Sequence, residues 1–275
     1  MQRPDWVPDS IDVERPSVAR MYDYFLGGSH NFAADREAAR QVIAVAPESP
    51  LVAQANRAFL RRAVRFLMDQ GIRQFLDIGS GIPTVGNVHE IAQRIDPRTR
   101  VMYVDIDPVA VAHSRQILGG NDLAGVIQQD LRQPERILKH PEVCQLLDFD
   151  QPIAVMIVAV LHFIPDTDDP AGVLATVRDA LAPGSYLTLS QASAETFSQA
   201  TAEGRDVVVD EVLSVYRKAD NALHPRTRDQ IAGLFDGFDL VPPGVVWLPE
   251  WRPEAPDQSS PDQSVFFCGV GQLRA

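Results

Sequence analysis

An acid and two glycines at alternate positions, Asp77-x-Gly79-x-Gly81, close the apolar run QFLDI. Two more acids, Asp105 and Asp107, close the run VMYVDIDP, and Asp130 closes GVIQQD. Glycines behind a strand let the backbone approach a ligand with no Cβ in the way. Carboxylates at neighbouring strand ends accept hydrogen bonds from hydroxyl and amino groups. A dinucleotide loop carries a third glycine, where helix and strand pack closely and a pyrophosphate rests on the helix N-terminus. Here Thr84 occupies that place, Pro83 withholds an N–H, and Asp77 sets negative charge against any phosphate. A ligand with a cationic amino acid portion and no phosphate suits this loop better, which ranks a nicotinamide oxidoreductase low.

The two acids of VMYVDIDP divide the work between them. Asp107 precedes Pro108 and has a sufficient role as a helix N-cap. Asp105 has no such role, so the hydroxyls of a ribose are assigned to it. Asp130 reads two ways, as the acceptor for an exocyclic amine such as that of adenine or as a cap on the turn into the next helix. His162 follows the run IAVMIVAVL directly and is the best-placed candidate for a general base. A lone histidine there is more often a packing or hydrogen-bonding residue, and Phe163 beside it more often core or pocket wall than an acceptor platform.

The elements that must position these groups alternate. Short apolar runs (QFLDI, RVMYVDI, GVIQQD, IAVMIVAVL, SYLTLS) are separated by helical stretches near Val88–Ile95, Pro108–Leu118, Pro134–Leu147 and Pro170–Leu181. Runs too apolar to be half-exposed indicate a mostly parallel sheet covered on both faces. FDLVPPGVVWLPEW and SVFFCGVGQL have no crossover helix between them and are predicted to pair antiparallel at one sheet edge. Helix starts are marked by Asp107-Pro108 and Asp169-Pro170 and by the capping box Thr227-x-x-Gln230. Upstream, helices are predicted over Ala33–Ala46 and Leu51–Gln70. In the second, Arg57, Arg61 and Arg65 share a face that reads as solvated. The fold class is therefore α/β, a doubly wound, mostly parallel seven-stranded sheet with an antiparallel last strand. An N-terminal arm and helical cap (1–70) precede the ligand-binding domain (71–275), the whole forming one structural unit.

Bulk properties narrow the partners. The net charge of −12 argues against a nucleic acid, whose binders carry a basic footprint. Cys144 and Cys268 make no disulfide framework and no metal-ligand spacing, and the histidines are scattered. The N-terminus MQRPDWVPDS lacks the pattern of a signal peptide, and Ile153–Leu161 is too short to span a bilayer. A cytoplasmic location with no membrane partner is the expectation.

Three consecutive strands ending in Asp77 with its glycines, Asp105 and Asp130 resemble the class I S-adenosylmethionine-dependent methyltransferases from about Arg73 to Ser190. IAVMIVAVLHFIPD is similar to the family's fourth-strand segment and LAPGSYLTLS to its fifth. SVARMYDYFLGGSHNFAADRE, GSGIPT and WLPEWRP resemble more narrowly a bacterial S-adenosyl methyltransferase family formerly of unknown function, over nearly the whole chain. The resemblance implies that S-adenosyl-L-methionine is the cofactor. It implies that Gly79, Ser80 and Gly81 line the methionine and ribose portion, with Asp77 near the amino group. It places Asp105 on the ribose, Ile106 beside the adenine, Asp130 and Leu131 at the adenine edge and face, and Ala159 and Leu161 on the floor. Pro83-Thr84 departs from the family's later glycine, which bears on helix packing there.

The acceptor side is less legible. Tyr22 and Tyr24 are candidates to close over the cofactor, with Gly27-Gly28 as a bend and Asn31, Asp35 and Arg36 facing the cleft. The same segment also reads as a cap with no ligand contact. Glu195 and Tyr216 are further candidates after the fifth strand. The activity implied is methyl transfer to a small-molecule oxygen, nitrogen or carbon acceptor; the alternative is a cofactor-binding or regulatory protein without catalysis.

Overall fold

The computed structural model describes residues 12–83, 86–219, 221–254 and 265–274. Thr84, on which part of the loop reading rests, lies outside them. Three helices come first: α1 (Val18–Phe25), α2 (Ala33–Val45) and α3 (Ser49–Asp69). Alternation then begins with β1 (Gln74–Ile78), α4 (Val88–Ile95), β2 (Arg100–Asp105), α5 (Pro108–Ile117) and β3 (Ala124–Gln128). It continues through α6 (Pro134–Leu138), α7 (Pro141–Leu146), β4 (Ala154–Val158), α8 (Pro170–Asp179) and β5 (Tyr186–Ala192). The remainder comprises α9 (Ala194–Ala202), α10 (Asp206–Lys218), α11 (Arg228–Gly233), β6 (Phe238–Leu240), β7 (Val246–Trp247) and β8 (Phe266–Leu273).

The sheet runs β3-β2-β1-β4-β5-β8-β6, with the two-residue β7 also paired to β8. β1 to β5 are parallel, and β8 is antiparallel to β5, β6 and β7. The expected antiparallel pairing is present, and β7 makes the sheet eight-stranded where seven strands were predicted. The predicted helix over Pro134–Leu147 is broken into α6 and α7. Pro141 disfavours a helical conformation at His140, which instead caps α7 with φ −65° and ψ 132°. The run through Leu161 also stops early, because β4 ends at Val158 and Ala159 turns the chain with φ 60°.

Strand periodicity sorts side chains onto two faces. Leu76 and Ile78 of β1 join the core under α6, α7, α8 and α11, whereas Phe75 joins the core under α3 and α4. Asp77 shares the face of Phe75, and so points toward α3. The order reverses between β1 and β4, and strand ends at such a switch point form a crevice. α1, α2 and α3 roof that crevice around a small core of their own, which includes Met21, Phe25, Val42 and Val215 of α10.

Candidate functional site

The glycine loop is fixed by the strand beside it. The N–H groups of Gly79 and Ser80 both donate to the Val104 carbonyl, at 2.7 and 3.2 Å. Gly81 N donates to Asp105 Oδ2 at 2.6 Å, and Asp107 N to Asp105 Oδ1 at 2.8 Å. Asp105 therefore has a structural task that its sequence position does not reveal: it clamps the loop to the tip of β2. A carboxylate offers about four acceptor positions, so acceptor capacity remains for a diol.

Gly79 has φ 73°, and a Cβ there would lie 2.3 Å from Val160 Cγ2. Valine is stiff at χ1 and cannot swing aside freely. Gly79→Ala is expected to lower stability by ~1–3 kcal/mol through backbone strain and overpacking. A thermal melt checks this; an unchanged midpoint would mean that the loop tolerates a side chain there.

The loop borders a partly enclosed cavity of about 290 Å³ at the carboxyl ends of the strands. Asp77, Gly79, Ser80, Gly81, Asp105, Ile106, Asp130, Leu131 and Ala159 all line it, as do Tyr22, His162 and Phe163. Sequence reasoning thus brings most of its candidates to one wall. Asp77 is buried, and desolvation raises its carboxyl to about 7 despite the opposing charge of Arg57, with Asp105 adding to the rise. Burial likewise raises Asp105 to about 6, against hydrogen bonds from the Asp107 and Gly81 amides. Burial would raise Asp130 too, but side-chain and backbone hydrogen bonds from Arg132 outweigh it and hold the group below its ordinary value. Asp130 is thereby committed to Arg132, at 2.6 to 3.0 Å.

Six candidates lie outside this wall. Leu161 has no exposed surface and packs in the core beneath β4, because the chain turns at Ala159; Val158 and Val160 line the cavity instead. Asn31 closes the Gly27-Gly28 turn by donating to Asp23 Oδ2 (2.7 Å) and to the Gly28 carbonyl (3.0 Å). Arg36 donates to the Asn31 carbonyl at 2.7 Å. Tyr24 packs in the roof with the Arg40 guanidinium over its ring. Asp35 is fully buried in an ion pair with Arg20, and Glu195 accepts from Ser193 Oγ and Arg228 N. Tyr216 does line the cavity.

His162 is nearly inaccessible, and its Nδ1 accepts from Ala192 N at 3.4 Å. Burial first, and then the Arg226 charge, lower its pKa to about 3. A ring so placed is neutral at pH 7, with its proton on Nε2. The ring packs between Phe163 and Phe266.

Two contributors were missed. Arg57 lines the cavity beside Asp77 and reaches Asn87 Oδ1 at 3.1 Å, while Arg65, two turns along the same face, is exposed and ion-paired with Glu254. Asn56 carries a buried relay. Ala159 N donates to Ser190 Oγ (2.9 Å), Ser190 Oγ to Asn56 Oδ1 (2.6 Å), Asn56 Nδ2 to Tyr22 Oη (3.0 Å) and Tyr22 Oη to the Ala53 carbonyl (3.1 Å). The relay pins the roof to β4 and β5 and uses the Tyr22 hydroxyl internally, so Tyr22 offers the cavity its ring. A polar Asn56 amid the apolar stripe of α3 was the available signal.

A glycine loop after β1, a ribose-competent carboxylate at the tip of β2 and this strand order define a Rossmann-like methyltransferase of the S-adenosylmethionine-dependent class. The chain belongs to the S-adenosyl methyltransferase family, whose model matches residues 4–274. It is similar to the crystal structure of a provisionally named methyltransferase from Thermobifida fusca YX, with 39% identity and a TM-score of 0.90 over 99% of this chain and 100% of that one. A DUF574 family protein from Streptomyces avermitilis MA-4680 is 35% identical, with a TM-score of 0.88 over 95% and 99% of the two chains. The S-adenosylmethionine-dependent methyltransferase SibL, at 15% identity and a TM-score of 0.51 over 82% and 57%, shares the fold. No curated protein matches the chain.

The cofactor is S-adenosylmethionine, and the site suits it. Ser80 Oγ is buried without a partner, Gly81 leaves open space where a Cβ would stand, and the exposed apolar side chain of Ile106 borders the cavity. Among the described residues, no helix is long and apolar enough to cross a membrane.

Proposed function

We propose that the enzyme methylates a small-molecule acceptor at oxygen, nitrogen or carbon, without a protein base. The observation that carries this reading is the cavity itself, whose volume of about 290 Å³ sits at the low end for small-molecule sites. A compact, roofed space favours a small acceptor over a segment of polymer.

When bound, the cofactor supplies an electrophilic methyl group on a positively charged sulfur. The chain's own residues bind, orient and exclude water. Gly79, Ser80 and Gly81 take the methionine and ribose portion, Asp105 the ribose hydroxyls, and Ile106 and Leu131 the adenine faces. Asp77 faces the ammonium, and Arg57 beside it suits the carboxylate of the same amino acid. Gln129 and Asp130 border the adenine edge, and Val158, Ala159 and Val160 form the floor. Helices α1 to α3 act as the lid. His162 and Tyr216 are poor bases at pH 7, the first with a pKa near 3 and the second raised by burial to about 12. Catalysis then rests on positioning, which supplies up to about 7–11 kcal/mol in well-oriented reactions.

Calorimetric titration with S-adenosylhomocysteine tests the site. The ligand ammonium favours ionised Asp77, so binding below pH 7 is expected to release a proton. Affinity should rise from pH 5.5 to about 7 and then level off. Proton release follows from titrations in buffers of different ionisation enthalpy. The apo protein shows the opposite linkage: a raised Asp77 pKa favours the folded state at low pH and loses that contribution as pH rises toward 7. Absence of binding heat in folded protein at every pH would remove the assignment of this cavity.

A further inference from the structure

The cavity is electrically divided along the sheet. Of its carboxylates, Asp77, Asp105, Asp107 and Asp130 belong to β1, β2 and the turns after β2 and β3, with Arg57 and Arg132 among them, and Glu48 stands at the head of α3. On the other side, beyond β4, strand β5, the start of β8 with Val265 before it, and helices α9 and α10 contribute Ala192, Phe266, Phe197 and Val209. Strands stand about 4.8 Å apart, so β2 and β5 are separated by roughly 14 Å. A ligand bound at the carboxylates leaves the β5 side for a second molecule.

Helix α10 gives the most specific sign. Val208, Val212 and Tyr216 recur at every fourth residue and all line the cavity. The one buried residue of α10 is Val215, and the one buried residue of α9 is Ala200. An apolar stripe contributing so little to the core has its remaining surface toward the cavity. The ionisable groups on this side are His162, which is neutral, Tyr216, which holds its proton, and Arg205, which is exposed at the rim and paired with Glu203 at 2.6 Å. Among the described lining residues, β5, β8, α9 and α10 contribute no carboxylate to meet an ammonium; Glu48 lines the cavity from the head of α3 in the roof. Bringing an unpaired cation into such a space costs several kcal/mol.

We propose that the methyl acceptor is a compact, apolar, ring-bearing molecule without positive charge, seated against the Val208–Val212–Tyr216 stripe of α10. The proposal rests on the methyltransferase site described above and narrows its acceptor.

The probe is 2-naphthol, titrated by its own fluorescence into protein saturated with S-adenosylhomocysteine. The comparison ligand is 2-naphthylmethylamine, a cation at neutral pH. Naphthol is expected to bind at least tenfold more tightly than the amine. Val212→Asp, at a half-buried position, is expected to weaken naphthol at least tenfold while leaving S-adenosylhomocysteine affinity within twofold. Val208→Asp repeats the test one turn away should the first variant fail to fold. Equal or tighter binding of the amine, or naphthol binding unaffected by both variants, overturns the proposal while the cofactor site stands. Loss of S-adenosylhomocysteine binding in the wild-type protein overturns the cofactor site and this inference together.

Discussion

Replacing Arg20 by Met is expected to lower the stability of the protein by about 3–5 kcal/mol, the usual cost of removing one partner from a buried ion pair. Arg20 is 4% exposed and lies between two buried acids, with Nε 2.8 Å from Asp35 and an Nη 3.2 Å from Asp107. Its other Nη donates to the Arg15 carbonyl at 2.7 Å. The acids are held further, Asp35 by the Ser17 and Phe32 amides and Asp107 by the Ser17 hydroxyl and the Val109 amide. Every member is satisfied only while the guanidinium is present. Met fills much of the volume but leaves two carboxylates without their cation.

In a chain of this size the expected drop in Tm is roughly 10 °C. Denaturant unfolding of the Arg20→Met protein checks it, alongside Arg20→Met with Asp35→Asn, which should recover part of the loss. A single variant melting within two degrees of wild type would show the network to be incidental. The consequence reaches the site, because the Asp107 amide also donates to Asp105. Loosening this corner should therefore weaken cofactor binding as well as folding.

How much of this was legible depended on the range of the interactions. β1 to β5 were readable because their runs are apolar without alternation, and α5, α8 and α11 because a capping residue announces each. Asp107, Asp169 and Thr227 each accept from a backbone amide in the first turn of their helix. The loop glycines and strand-end acids were readable because a ligand site at a switch point is dictated by the fold. Contacts far apart in sequence were not readable. Ser190 and Asn56 meet across 134 positions, and Arg20 and Asp107 across 87. Helical spacing puts Arg57 on a charged face, yet packing against β1 turns that residue inward and leaves Arg65 in solvent. The spacing of α10 was also silent, since its valines resemble core until the sheet is seen to leave them uncovered. Even Asp105 carried a double meaning, and local sequence showed only half of it.

That double meaning shapes the other large effect. Asp105→Ala is expected to weaken S-adenosylhomocysteine binding by ~1–3 kcal/mol from the lost charge-assisted hydrogen bonds, a factor of roughly ten to one hundred. It also frees the amides of Gly81 and Asp107, so the apo protein should lose about 1–2 kcal/mol of stability. Asp105→Asn separates the two roles. Its carbonyl oxygen can accept from one of those amides and retain part of the clamp, while the negative charge offered to a diol is gone. The Asn variant should accordingly fold more stably than the Ala variant and still bind the cofactor product at least fivefold more weakly than wild type. Calorimetry and thermal melts on the three proteins decide the matter. Wild-type affinity in both variants would refute the ribose role and leave Asp105 as a clamp alone, whereas weak binding in Ala but not in Asn would trace the effect to loop order.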